Sequence, residues 1–133
     1  MAVLTQGSVV RRWYDELWDA WKTDIVEELF TDDYRLHIPG QPIFDKQGVK
    51  PVVEMFQRAF PDLKHLVHET IVGEGSIAAR WTVRGTHRGD FQGIAPSGKP
   101  IDVSGITIHH IRDGRISETW LAFDTMTLVG QIR

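Results

Sequence analysis

Six histidines and no cysteine define the chemistry open to this chain. Without thiols there are no disulfides, thiolate zinc sites or cysteine nucleophiles. No His-x-His occurs, and no His/Asp/Glu triplet falls within one strand or helical turn, so metal ligands would have to converge through tertiary structure. We expect no metal and no cofactor. A Gly-x-Ser-x-Gly elbow is absent, and Ser97 and Ser104 have no neighbouring base. Gly73–Gly75 lies between strands, not ahead of a helix, so it does not read as a phosphate loop. The expected chemistry is general acid/base work by histidine or carboxylate in a low-dielectric pocket, where burial raises a carboxyl pKa toward neutrality.

Position sorts these groups. His65, His68 and His87 lie near strand ends beside charged or turn residues and read as surface or edge groups. His37, in "YRLHIP", and the adjacent pair His109-His110 are different. Neighbours in a strand point to opposite faces, so one of the pair looks inward. Asp124 closes "GRISETWLAFDTM". It reads as a catalytic acid/base, a structural hydrogen-bonding group or a surface charge.

The elements that position these residues follow from periodicity. From about Gly7 to Leu29 the spacing is helical: Val9, Val10, Trp13, Leu17 and Trp21, then Ile25, Val26 and Leu29 after a break near Lys22–Thr23. Ser8 is the expected N-cap. Tyr34, Leu36 and Ile38 alternate as in a short strand, ended by Pro39-Gly40 and Pro42. "DKQGVKPVVEMFQRAFPDL" predicts a helix with one stripe of Val49, Val52, Val53, Phe56 and Phe60, with Pro51 in its first turn and Pro61 closing it. After Pro61 the texture is β. "KHLVHETIVGEG" and "SIAARWTVRGTHRGDF" form a hairpin at Gly73–Gly75, and "GIAPSGKPI" is a loop. "DVSGITIHHIRDGRISETWLAFDT" is a second hairpin turning at Asp113-Gly114. Helices followed by an antiparallel meander give an α+β order. Such a sheet must curl, and helices on its concave face would leave a pocket.

Strand parity assigns the faces. Glu118, Trp120, Ala122 and Asp124 share one side of the last strand if no bulge intervenes; Thr119, Leu121 and Phe123 share the other. Thr107, His109 and Ile111 oppose Ile106, Ile108 and His110. Ile77, Ala79, Trp81 and Val83 are expected inside, opposite Arg80 and Arg84. Neither face of the last strand is wholly polar, so a second subunit is expected over the outer one.

The 133 residues read as one domain with an ordinary globular balance, 41% hydrophobic and 25% charged. A net charge of −3 with scattered Lys and Arg gives no footprint for nucleic acid or an anionic membrane. No apolar run approaches the roughly 20 residues of a membrane span. The N-terminal stretch mixes charge with apolar residues, unlike a signal peptide, and the expected location is cytoplasmic.

The segments "LFTDDYRLHIPG", "FPDLKH", "GEGSIAARWTVRGTHRGDFQGIAPSGKPIDVSGITIHHIRDGRISETW" and "DTMTLVGQI" resemble the SnoaL-like polyketide cyclase family of the NTF2-like superfamily. The resemblance implies an α+β cone: a curved, mostly antiparallel sheet with N-terminal helices enclosing a pocket, paired as a homodimer through the sheet's outer face. The fold hosts cyclases, isomerases, hydrolases and non-enzymatic binders, so activity is less defined. In cyclases of the family an aspartate on the last long strand is the acid/base for an intramolecular aldol closure. The family's usual Glu-His-Trp-Asp is here Glu118-Thr119-Trp120-Leu121, so leucine stands at the aspartate position and threonine at the histidine. Asp124 is the carboxylate that survives, at the other parity, and is expected to hold the following segment unless a bulge near Ala122 turns it inward.

Several pocket residues follow from the resemblance. His37 matches a position where many members carry histidine and is expected at the pocket mouth or floor. His109 and Thr107 face the pocket from the preceding strand, Trp81 and Phe123 form apolar walls, and Tyr14 and Trp18 border the cavity. Two functions stay open. One is a lyase or isomerase without cofactor, acting on a small apolar or aromatic carbonyl compound with His109 or His37 as base. The other is a binding or scaffold protein that has lost the acid/base group.

Overall fold

The computed structural model describes residues 9–133; the expected N-cap Ser8 lies outside the described residues. Helix α1 covers residues 9–18, and its part Trp13–Trp18 is π-helical, with the Asp19 N–H donating to the Tyr14 carbonyl at 2.9 Å. It buries Trp13, Tyr14, Leu17 and Trp18. The expected helical break is real but starts earlier, at Asp19. Trp21 has left the stripe with φ of 56° and donates its indole N–H to the Pro61 carbonyl at 3.0 Å. A 3-10 turn, Thr23–Ile25, leads into the single turn of α2, Val26–Leu29.

Strand β1, Phe30–His37, begins directly after α2, longer toward its N-terminus than the alternation of Tyr34, Leu36 and Ile38 suggests. Helix α3, Lys46–Ala59, starts at Asp45, whose carboxylate accepts the Gly48 N–H at 2.9 Å. This early start puts Pro51 in the second turn rather than the first. The strands β2 (Lys64–Gly73), β3 (Ser76–Thr86), β4 (Pro100–Arg112) and β5 (Arg115–Phe123) follow as the two expected hairpins. The chain then forms a helix that its sequence pattern did not announce, α4, Thr125–Ile132. Among the described residues, no helix is long and apolar enough to cross a membrane.

The sheet order is β1-β5-β4-β3-β2, with β1 parallel to β5 and the other pairs antiparallel. Parity holds along β4, where Ile101, Val103, Thr107 and His109 are buried and Asp102, Ser104, Ile106, Ile108 and His110 are exposed. In β5, Thr119 and Leu121 are buried and Trp120 and Ala122 are exposed. The irregularity in the β4–β5 register lies between His110 and Ile111, at the start of β5 and far from Ala122. Nothing turns Asp124 inward.

The helices lie on the inner face and complete one apolar core with it. Gly105, opposite Trp81 in the β3–β4 register, lets that indole lie flat on the sheet: a Cβ there would meet Trp81 Cη2 at 2.3 Å. Helix α4 is strapped to β4 by a side-chain amide acting as a strand would. Gln131 donates to the Asp102 carbonyl and accepts its N–H, both at 2.9 Å.

Candidate active site

The concave face holds a cavity of about 40 Å³ whose walls include Trp18, Phe56, Trp81, Leu121, Phe123 and Leu128. Trp18, Trp81, Leu121 and Phe123 all line this cavity. Leu121 makes its part of this wall apolar. Among the described lining residues, His65 is the one ionisable side chain.

His65 corrects the reading of it as a surface group. Its side chain is 7% exposed, packed 5.0 Å from the Trp81 ring and 6.2 Å from the Trp18 ring. Inward parity on β2 puts it there. The carboxylate of Asp19 lies 2.9 Å from Nδ1 and also accepts the His65 backbone N–H at 3.0 and 3.1 Å. A carboxylate only accepts, so Nδ1 carries the proton and Nε2 keeps its lone pair in the neutral ring. Asp19 is available because the π-helical turn ends α1 over the start of β2, where Lys64 Nζ also donates to the Asp19 carbonyl at 2.6 Å. This is a base held in one tautomer by a carboxylate. Trp18 lines the same cavity, and its buried indole N–H has no partner among the described residues.

A second polar cluster is sealed from the cavity. His109, fully buried, bonds Thr119 Oγ1 through Nδ1 at 2.9 Å and the Tyr14 hydroxyl through Nε2 at 3.3 Å. Tyr14 also bonds Thr107, whose hydroxyl accepts the Trp81 indole N–H at 3.3 Å. Burial pushes the His109 imidazole down to about 3 and the Tyr14 phenol up, so both are neutral. The Tyr34 hydroxyl lies next to Thr119 but outside hydrogen-bond geometry, and its burial also raises its pKa. His109, Tyr14 and Thr107 therefore face inward as expected, yet none of them lines the cavity. Their bonds lock helix α1 and the Trp81 wall in place.

His37 and Asp124 sit elsewhere. His37 is on the outer side of the sheet, not at the pocket mouth or floor. Its ring stacks on Trp120 at 4.8 Å, and Nε2 lies 2.6 Å from Glu118. Its parity in β1 is opposite to that of buried Leu36, which explains the placement. Asp124 is an exposed cap of α4, accepting the Thr127 N–H at 3.0 Å and its hydroxyl at 2.6 Å. Those bonds hold its carboxyl below the usual range. His87 also departs from a surface reading: it is fully buried, its Nδ1 accepting the Ser97 N–H at 3.1 Å as residues 97–99 fold back over it. His68 is exposed at the surface, as expected, with its ring bonded to Thr82 Oγ1 at 2.7 Å. The missed pair His65–Asp19 had one faint signal, the inward parity of His65 with Val67.

An open, curved five-stranded sheet with helices over its concave face and a histidine-bearing cavity defines an NTF2-like α+β cone. Solved structures agree. The overlay with a protein of Jannaschia sp. CCS1, assigned as a SnoaL-like polyketide cyclase, has a TM-score of 0.90 at 23% identity, over 97% of this chain and 92% of that one. IdmH of Streptomyces antibioticus, assigned as a polyketide cyclase, gives 0.83 at 27% identity over 95% and 96%. AclR of Streptomyces galilaeus, assigned as a hydroxylase, gives 0.87 at 21% identity over 98% and 96%. No curated protein sequence matches. The family model for SnoaL-like polyketide cyclases matches residues 8–132, and the chain belongs to that family.

Proposed function

We propose that the protein catalyses an acid/base rearrangement, without a cofactor, of a small, largely apolar carbonyl compound. The observation that carries this reading is His65, fixed by Asp19 as a single tautomer at the wall of an otherwise apolar cavity. Nε2 of His65 takes a proton from the carbon next to the carbonyl. The electron pair moves into the carbonyl, whose oxygen accepts the Trp18 indole N–H as negative charge develops. The enolate is reprotonated by His65 at another carbon, or attacks a second carbonyl that then takes the proton back. In this reading His65 supplies the base that Leu121 cannot. His109 serves as a positioning residue, because both its nitrogens are engaged and its imidazole is held neutral.

The test is exchange of the α-protons of 2-tetralone in D2O, followed by proton NMR. His65→Gln is expected to lower the catalysed exchange by about 10²-fold or more, and Asp19→Asn by less, with both variants folded. Exchange at the wild-type rate in folded His65→Gln sinks the proposal. A second reading, a binding protein without turnover, is favoured by the leucine at position 121. Ligand binding with no exchange above buffer would select it.

We also propose that the protein is a homodimer joined through the outer face of the sheet. On that face Ile106 is 51% exposed, Ile108 41% and Trp120 37%. Such an exposed apolar patch is characteristic of an interface.

A further inference from the structure

The cavity has an outer chamber. A hollow of about 460 Å³ lies on the far side of Ile38, Val52, Phe56 and Phe123, the four side chains that line both spaces. The inner space, about 40 Å³, is too small for an organic ligand, whereas the outer one falls in the range of roughly 300–1,000 Å³ that such ligands occupy. Phe56 and Phe123 meet edge to face at 6.0 Å between the two, both half-buried. A molecule seated in the outer chamber reaches His65 by parting these two rings. The inner walls are almost wholly apolar, but the outer chamber adds the polar side chains of Gln41, Gln92 and Thr125.

Gln92 stands apart from the other two. Its φ is 49°, followed by Gly93 at 85°, and the flanking residues exchange backbone bonds: Phe91 N–H to Ile94 O at 3.0 Å and Ile94 N–H to Phe91 O at 2.9 Å. This is a two-residue turn with both central positions left-handed, where asparagine, aspartate or glycine fits with least strain. Glutamine is costly there, and such outliers persist where the surroundings over-determine them and cluster at ligand clamps. The turn is rigidly founded. Phe91 is fully buried, its ring 5.5 Å from Phe56 and 5.4 Å from Phe60, and the Asp90 carboxylate accepts the Gly93 N–H at 3.1 Å. A long amide is thus presented at the rim of the outer chamber by a turn anchored against Phe56 itself.

We infer that Gln92 is a specificity residue, its amide binding the polar end of an amphipathic carbonyl compound whose flat apolar end passes between Phe56 and Phe123 toward His65. The inference rests on the acid/base reading of the inner cavity for the direction in which the compound lies. Recognition at the rim is measured independently of turnover.

Calorimetric titration with 2-acetonaphthone and with its 6-carboxamide tests it, in the wild type, Gln92→Gly and His65→Gln. The wild type is expected to bind the carboxamide about tenfold more tightly than the parent ketone. Gln92→Gly should bring that ratio close to one while keeping the parent's affinity. It should also raise Tm, because glycine relieves the left-handed position. His65→Gln should keep the ratio and lose only α-proton exchange, so failure of the catalytic reading and failure of this one are told apart. A ratio unchanged in Gln92→Gly overturns the inference. So does equal affinity of the wild type for the two ketones, or binding of neither up to its solubility limit.

Discussion

At His109 the imidazole is fully buried with both nitrogens bonded, and that arrangement has a pH signature. Its pKa is pushed down to about 3 by burial, against 6.5 for the ordinary side chain. Between those values the unfolded chain binds a proton that the folded chain refuses, so stability rises with pH through this window and levels off above about 6.5. The slope from this one group is at most about 1.4 kcal/mol per pH unit. Thermal melts from pH 4 to 7 should therefore show wild-type Tm falling on acidification and His109→Gln falling less steeply. Parallel curves would show that the buried imidazole does not control acid stability. At this scale the inward residues of β4 and β5 were legible, because alternation assigns His109, Thr107 and Leu121 to one side. His65 was not, since the Asp19 that orients its ring lies 46 positions away in sequence. His37 was misplaced because a family position carries no face with it, whereas the parity against Leu36 does.

Among the elements, α4 shows how little sequence a helix needs when its neighbours supply the rest. It has only Thr125–Ile132, yet Asp124 caps it, Leu128 and Ile132 bury into the core, and Gln131 ties it to β4. Asp124→Ala should lower Tm by a few degrees, with Asp124→Asn recovering most of the loss because its amide oxygen still accepts the Thr127 N–H. Catalysed exchange per folded molecule should be unchanged in both variants; a large loss in Asp124→Asn would return this carboxylate to the chemistry. The hairpins were legible from Asp113-Gly114 and Gly73–Gly75, where local turn chemistry decides. Helix α4 was hidden because its buried residues, Leu128 and Ile132, make too short a stripe for periodicity to register. The π-helical turn was equally hidden: Trp13, Tyr14, Leu17 and Trp18 keep ordinary helical spacing, and the widening shows in the backbone bonding, as in the bond from Asp19 back to Tyr14.

For the molecule as a whole, the outer face of the sheet makes the clearest prediction. Sedimentation equilibrium should give a dimer for the wild type and a monomer for Ile106→Glu combined with Trp120→Glu, with the fold retained by circular dichroism. A wild type that stays monomeric across the micromolar range refutes pairing through this face. The cone itself was legible in outline, helices first and a curling meander after, but the partner of the first strand was not. Strand β1 lies beside β5, with Leu36 opposite Thr119 and His37 opposite Trp120. That pairing sets an order of events during synthesis. As the chain leaves the ribosome, β1 emerges early with Phe30, Tyr34 and Leu36 and has no strand to join until β5 follows. The hairpins of β2 to β5 can assemble from near neighbours, while pairing β1 with β5 requires the longest loop among the strand pairings to be drawn shut. The nascent protein thus carries an apolar, unpaired strand for most of its translation, and it is in that interval that a chaperone would find it.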